Sequence, residues 1–343
     1  MPEFFAIPRE EQRDALLVAA ERSGRPPHLL EKDVWVVWAL QHLFASAHAP
    51  HLVFKGGTSL SKAWNVIRRF SEDVDLTYDV RTIAPELTEG GETVWPKTRS
   101  QAKKWTDEIR GRLAQLVTTQ LGPALGEALA AQNLRATVRV EDATIFIDYE
   151  SLTQGTGYVK PSVLLEFGAR STGEPSETRP ITCDAADHVP GVDFPRADPA
   201  VMLPERTFWE KATAIHVYCV GGRFRGGDRF ARHWHDVTRL DLAGIAERAR
   251  SDRALAQAVV ENKSAFFAEK TANGQPIDYR IAVQGGLQLV PVDAARAALA
   301  DDYQRMVEDG LLLDDAEPFD DLLEQCRAIA DRVNQATGFT DVT

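Results

Sequence analysis

Apolar positions recur at helical spacing along 9–23, where Leu16, Leu17 and Val18 sit among charges, and predict an amphipathic helix. From His28 to Phe44 the pattern is denser. Val34, Trp35, Val37, Trp38, Leu40, Leu43 and Phe44 leave only a thin polar stripe, so a second, largely buried helix is expected. Glu31-Lys32-Asp33 is read as its opening, where acids suit the positive end of the helix dipole. His51-Leu52-Val53-Phe54 reads as a short strand broken by Gly56-Gly57. Thr58 or Ser59 then stands where a cap would, before a helix to Val66.

Phe70 to Thr77 is the next expected strand. A long helix, Arg99 to Ala131, leads to a hairpin of Ala136–Val140 with Thr144–Tyr149, and then to a strand at Ser162–Phe167. Ser171 to Pro204 is rich in Pro, Asp, Thr and Ser. It marks the candidate domain boundary, with a short strand at Arg179–Cys183. Helices follow near 205–220, 230–241, 253–269, 291–309 and 318–337. This order fits an α+β fold, with a catalytic domain over 1–185 and a mainly helical domain over 186–343.

With 343 residues, 44% of them hydrophobic, the chain is long enough for two such domains. A net charge of −12 supplies no bulk positive field for nucleic acid or anionic membrane. Any phosphate contact must therefore come from local clusters: Arg68-Arg69, Lys103-Lys104, or Arg223, Arg225, Arg229 and Arg232. Cys183, Cys219 and Cys326 are too scattered for a disulfide framework or a zinc site, and free thiols suit a reducing cytosol. Met1 to Pro8 lacks the order of a signal peptide and no apolar run reaches the length of a membrane span, so a cytoplasmic location is expected.

The chemistry concentrates in Phe54-Lys55-Gly56-Gly57-Thr58-Ser59-Leu60 and Phe70-Ser71-Glu72-Asp73-Val74-Asp75-Leu76. Paired glycines let backbone approach a ligand closely, and the helix start beyond them offers N–H groups to an anion. Thr58 and Ser59 add hydroxyls, or serve only as caps. Asp73 and Asp75, two apart on a strand, share a face. Unless they are merely a solvated strand end, their repulsion calls for a cation, and hard oxygen ligands suit Mg²⁺, with Mn²⁺ as the alternative. Glu166 lies in a strand read as apolar on both faces. It is either the third metal ligand, with Asp73 and Asp75, or an edge acid paired with Arg170. Lys211 edges an apolar helix face, where it either snorkels or reaches a triphosphate. Asp236 sits beside Trp234, Val237 and Leu240, and a bond to Arg232 or Arg239 is its simplest explanation. His233 and His235 lack partners at a zinc spacing.

Together these blocks resemble the AbiEii toxin family, a branch of the DNA polymerase β-like nucleotidyltransferases that includes the MenT toxins. The likeness covers roughly 28–240, Glu31-Lys32-Asp33 included. It implies a polymerase β-like domain with a mixed sheet. It also implies a toxin of a toxin–antitoxin or phage-defence pair that transfers nucleotides from an NTP, with the tRNA 3′ end as acceptor and a cognate antitoxin as partner. By match, Gly57 and Ser59 would hold phosphate, Asp73 and Asp75 the metals, and Lys211 the NTP phosphates, while Asp236 is the last acidic position. The mechanism expected has Asp73, Asp75 and Glu166 binding metal, with Gly56, Gly57, Thr58, Ser59, Arg69 and Lys211 around the triphosphate. The last block departs from the family, reading His-Trp-His-Asp where an Arg-Asp pair is commoner. A protein or small-molecule acceptor and a non-catalytic partner-binding role remain as alternatives. So does a haloacid-dehalogenase-type phosphatase, whose Asp-x-Asp-x-Thr pattern Asp73 to Thr77 also fits.

Overall fold

A computed structural model describes residues 1–69, 73–89, 92–93, 96, 98–154, 159–221, 229–308, 310–312 and 316–335. The expected strand start at Phe70 to Glu72 and the arginines Arg223 and Arg225 lie outside them. The elements run α1 (Arg9–Ser23), α2 (Pro27–Phe44), β1 (Leu52–Lys55), α3 (Gly56–Lys62), β2 (Asp73–Tyr78), α4 (Val80–Ile83), β3 (Thr88–Glu89), β4 (Glu92–Thr93), α5 (Arg99–Leu116) and α6 (Gly122–Ala131). Next come β5 (Ala136–Glu141), β6 (Thr144–Tyr149), β7 (Ser162–Gly168), β8 (Ser176–Thr178), β9 (Ile181–Thr182), β10 (Arg196–Ala197) and β11 (Ala200–Met202). The rest is helical: α7 (Pro204–Gly221), α8 (Arg232–Leu242), α9 (Ile245–Ser251), α10 (Arg253–Phe266), α11 (Asp293–Glu308) and α12 (Phe319–Gln335). Among the described residues no helix is long and apolar enough to cross a membrane.

The fold is α+β, as expected, and it packs as two compact units. The first comprises Met1–Ala63, Ser71–Val94 and Asp107–Met202. The second comprises Trp64–Phe70, Trp95–Thr106 and Leu203–Thr343. The division expected at 185 thus falls inside the first unit, and two upstream segments belong with the C-terminal helices.

The first unit is built on a mixed sheet ordered β5-β6-β7-β2-β1-β11-β8. β2 runs parallel to β7 and antiparallel to β1. Along β6, β7 and β2, alternate residues are buried: Ile145, Ile147 and Tyr149; Val163, Leu165 and Phe167; Val74 and Leu76. This face packs on helices, with Leu30, Val34, Val37 and Trp38 of α2 and Leu125 and Leu129 of α6 in the core. Trp38 donates its indole N–H to the Gln132 side chain at 3.1 Å, satisfying the one polar atom it buries.

Several elements differ from expectation for identifiable reasons. α2 starts at Pro27, so Glu31, Lys32 and Asp33 lie beyond its first turn and are buried rather than acting on the dipole. α3 starts at Gly56 and is over by Lys62; soon after it, Asn65 takes a left-handed φ of 53°, which no helix continues through. The expected single helix over 99–131 is interrupted by a π turn at Val117–Leu121. Pro123 has no N–H to donate and its ring crowds the carbonyl four residues back, which a wider turn relieves. The strand expected at Arg179–Cys183 is shorter, β9 at Ile181–Thr182, and Pro180 separates it from β8.

In the second unit the core gathers Phe208, Ala212 and Ile215 of α7 with Trp234, Val237 and Leu240 of α8 and Leu322, Cys326 and Ile329 of α12. Trp209 and Trp234 donate their indole N–H groups to the carbonyls of Ala249 and Leu289, at 2.9 and 2.8 Å. His216 is 1% exposed. Its Nδ1 accepts the Gln288 N–H at 3.1 Å, while its buried Nε2 has no partner among the described residues. Burial pulls its pKa from 6.5 down to about 4. Between those values the unfolded chain binds the extra proton, so stability from the neutral ring is complete above 6.5 and declines as pH falls toward 4. At ~1.4 kcal/mol per unit the wild type should lose about 3 kcal/mol across this window through His216. We expect His216→Leu to start less stable but to show a flatter profile of unfolding free energy between pH 6.5 and 4. An unchanged slope in urea melts at several pH values would refute this assignment.

Candidate active site

β1 ends in the Gly56-Gly57 turn and β2 follows antiparallel beside it, so the turn and Asp75 are brought together by the pairing Lys55↔Asp75. Gly56 has a φ of +80°, and a Cβ built there would lie 2.0 Å from Asp75 Oδ2. No side chain fits at 56, whatever its chemistry. The hydroxyls beside it face inward. Ser59, which is fully buried, donates to the Gly56 carbonyl at 2.9 Å, and Thr58 donates to the Asp73 carbonyl. In this arrangement both shape the turn rather than point from it.

On its other side β2 meets β7 in the register Asp73↔Leu164 and Asp75↔Glu166. Paired residues of neighbouring strands share a face, so Asp73, Asp75 and Glu166 lie on the same face of the sheet. The row Thr144, Glu166, Asp75, Lys55 crosses four strands. Adjacent strands stand about 4.8 Å apart, and Asp73 is about 6.6 Å along from Asp75. Glu166 is exposed, so the expectation of a strand apolar on both faces was wrong: β7 buries only Val163, Leu165 and Phe167. Register, not burial, is what ties Glu166 to the pair. Three carboxylates with no Cys or His beside them on that face fit a hard dication in kind. Among the described residues no three His, Cys, Asp or Glu side chains converge closely enough to enclose one.

The second unit holds a different cluster. Asp236 of α8 is fully buried, and Arg69 grips it with Nε on Oδ1 at 2.6 Å and Nη2 on Oδ2 at 2.8 Å. Lys211 of α7 places Nζ 2.8 Å from Oδ2, and His235 Nδ1 lies 3.5 Å from Oδ1. Burial would push the Asp236 carboxyl up, but Arg69 and Lys211 hold it well below its usual range. The Lys211 amine is lowered by burial and by repulsion from Arg69 and Arg232, against the pull of Asp236. Burial, with Lys211 and Arg232 nearby, pushes His233 well down and keeps it neutral; its Nδ1 has no partner among the described residues. Two cationic side chains, Arg69 and Lys211, thus converge on one buried carboxylate.

The sequence profile of a family described as "Nucleotidyl transferase AbiEii toxin, Type IV TA system" matches residues 38–325. The chain belongs to this family. No curated protein sequence matches it. Solved structures similar to it include MenT4, the nucleotidyltransferase toxin Rv2826c from Mycobacterium tuberculosis H37Rv. That structure is 18% identical with a TM-score of 0.39, covering 98% of this chain and 91% of that one. JHP933 from Helicobacter pylori is 14% identical with a TM-score of 0.41, covering 91% and 94%.

Within this AbiEii-family chain, the sheet assembles Gly56, Gly57, Asp73, Asp75 and Glu166, and the helical unit assembles Arg69, Lys211 and Asp236. Among the described residues, no bond from Arg232 or Arg239 to Asp236 is seen, the helix pairing that stood as the alternative to a functional role. Arg239 pairs with Glu317, while Asp236 is paired with Arg69, 167 residues away, and with Lys211. Lys55, beside Asp75 by register, was not anticipated, nor was Arg232 as a neighbour of Lys211. The antiparallel β1–β2 pair also argues against the dehalogenase-type reading, which needs its aspartate strand in a parallel sheet. Arg69→Met should cost about 3–5 kcal/mol, because it leaves a buried carboxylate half compensated. Arg69→Lys should recover little of that, since the two-pronged grip is lost. Chemical denaturation near neutral pH reads both, and a loss below about 1 kcal/mol in Arg69→Met would contradict the buried pairing.

Proposed function

We propose that this chain is the toxin of a type IV toxin–antitoxin pair, transferring a nucleotide from an NTP to an acceptor hydroxyl with displacement of pyrophosphate. Family membership supports the reaction class. The observation that carries the site is Asp75, seated against Gly56 on one side and in register with Glu166 on the other. Asp73, Asp75 and Glu166 would hold Mg²⁺, or Mn²⁺, which when bound supplies charge neutralisation to a transferring phosphoryl group.

The chain's own groups have separable tasks. The Gly56-Gly57 turn, whose backbone lacks side chains and so lets Asp75 come close, is assigned to the NTP phosphates. Lys211, whose ammonium carries three protons and spends one on Asp236, is assigned to the NTP phosphates. Arg69 is assigned to orienting Asp236, because its Nε and Nη2 are taken up there. Thr58 and Ser59 are assigned to the shape of the turn. The acceptor proposed is the tRNA 3′ end, which rests on the resemblance to MenT toxins. A cognate antitoxin and a cytoplasmic setting accompany it.

Purified protein incubated with Mg²⁺, each labelled NTP in turn and total tRNA should place label on tRNA. Asp75→Ala should lower the rate by roughly a thousandfold or more, because losing a metal ligand costs several kcal/mol of barrier. Asp75→Ala turning over at the wild-type rate would sink the assignment. Label on protein or a small molecule would keep the chemistry and move the acceptor.

A further inference from the structure

The Glu31-Lys32-Asp33 stretch is not accounted for by the reaction, yet its acids are buried in α2. Glu31 is 1% exposed and receives the Ser151 hydroxyl at 2.9 Å, the Leu152 N–H at 2.7 Å, the Thr153 N–H at 3.2 Å and the Thr153 hydroxyl at 2.8 Å. It therefore fixes the start of the β6–β7 connection. Asp33 does something different. Its Oδ1 lies 2.6 Å from Lys62 Nζ, and its Oδ2 accepts the Asp184 N–H at 2.6 Å. Lys62 also reaches Asp184 Oδ1 at 2.7 Å, and Arg25 pairs with Asp184 from outside.

Lys62 is the last residue of α3, the helix whose first residue is Gly56. We propose that Asp33, Lys62 and Asp184 form a positioning clamp that sets the Gly56-Gly57 turn against Asp75.

A seven-residue helix has no independent stability, so its placement depends on outside ties. At its start, Lys55 offers no side-chain cap, and a tie to the rest of the unit there is the Thr58 hydroxyl on the Asp73 carbonyl. The far end is held by Lys62, about 9 Å along the axis. There is no slack at the near end, since the Gly56 Cβ position already overlaps the Asp75 carboxylate. A buried ion triad is a weak stabiliser compared with apolar packing of the same volume, but its directional bonds select one position where greasy contacts would accept several. Burial would strip the Lys62 amine of its proton, but Asp33 and Asp184 keep it charged; burial and Asp184 push the Asp33 carboxyl up, against the pull of Lys62.

The clamp itself is a claim about structure, and its effect on turnover rests on the transfer reading above. Hydrogen exchange by mass spectrometry on the full chain tests the first. In Lys62→Met and Asp33→Asn, amides of 56–62 and 73–76 should exchange at least tenfold faster, with the β5–β6 hairpin unchanged. Unaltered exchange at 56–62, or an equal rise through the whole first unit, would overturn the clamp. Asp33→Asn keeps the shape and the acceptor for the Asp184 N–H, so it decides the matter should Lys62→Met fail to fold. With labelled NTP, the folded variants should lose at least tenfold in kcat, and Lys62→Arg should recover part of it. A loosened α3 with full kcat would overturn the link to catalysis. If wild type transfers no label from any NTP, the transfer reading falls and the exchange result alone judges the clamp.

Discussion

A carboxylate stands where a side chain at position 56 would have to go, and much of the first unit is arranged around that contact. It requires glycine, with its φ of +80°, at the end of β1. It requires β2 to return antiparallel, so that Asp75 comes opposite Lys55. Because β2 also runs parallel to β7, the same register brings Glu166 beside Asp75. One close approach between backbone and acid therefore fixes the turn, the strand pairing and the identity of the third carboxylate.

The two units handle their acids in opposite ways. Asp236 is fully buried and is stabilised by Arg69 and Lys211, whose attraction outweighs the cost of desolvation. That pairing makes it a rigid feature, strongly coupled to both cations and costly to break from either side. Asp73, Asp75 and Glu166 lie instead on a sheet face that is at least partly open.

How much of this could be read from the chain followed sequence distance. The Gly56-Gly57 turn and the Asp73–Asp75 pair were legible because their geometry is local: a break after a strand, then two acids at strand period. Glu166 is singled out by the sequence on an expectation of burial that the structure does not bear out. An apolar stretch suggested burial on both faces, and only the pairing with β2 shows which face is open. The bond between Arg69 and Asp236 spans 167 residues and leaves no periodic trace, so the pattern offers only the near arginines Arg232 and Arg239 as partners beside a functional role. β11, three residues long, carries too little pattern to announce itself, yet it pairs with β1 and so flanks the site-bearing strand. The π turn had a visible signal in Gly122-Pro123 that the helical periodicity around it overrode.

The acids of α2 show why a hydrophobic helix still needs charges. From Val34 to Leu40 every residue is buried, so apolar contact alone does little to select one rotation or one axial position. Glu31 and Asp33 supply what that surface lacks. Each has geometrically demanding partners, the 151–153 backbone and hydroxyls for one, Lys62 and the Asp184 N–H for the other. Turning α2 by one residue would bury both carboxylates without partners, at a cost of several kcal/mol apiece. The penalty for the wrong arrangement, more than any gain in the right one, makes α2 a fixed reference for the β6–β7 connection and for α3. Precision at Gly56 is thus inherited from a helix that never reaches it.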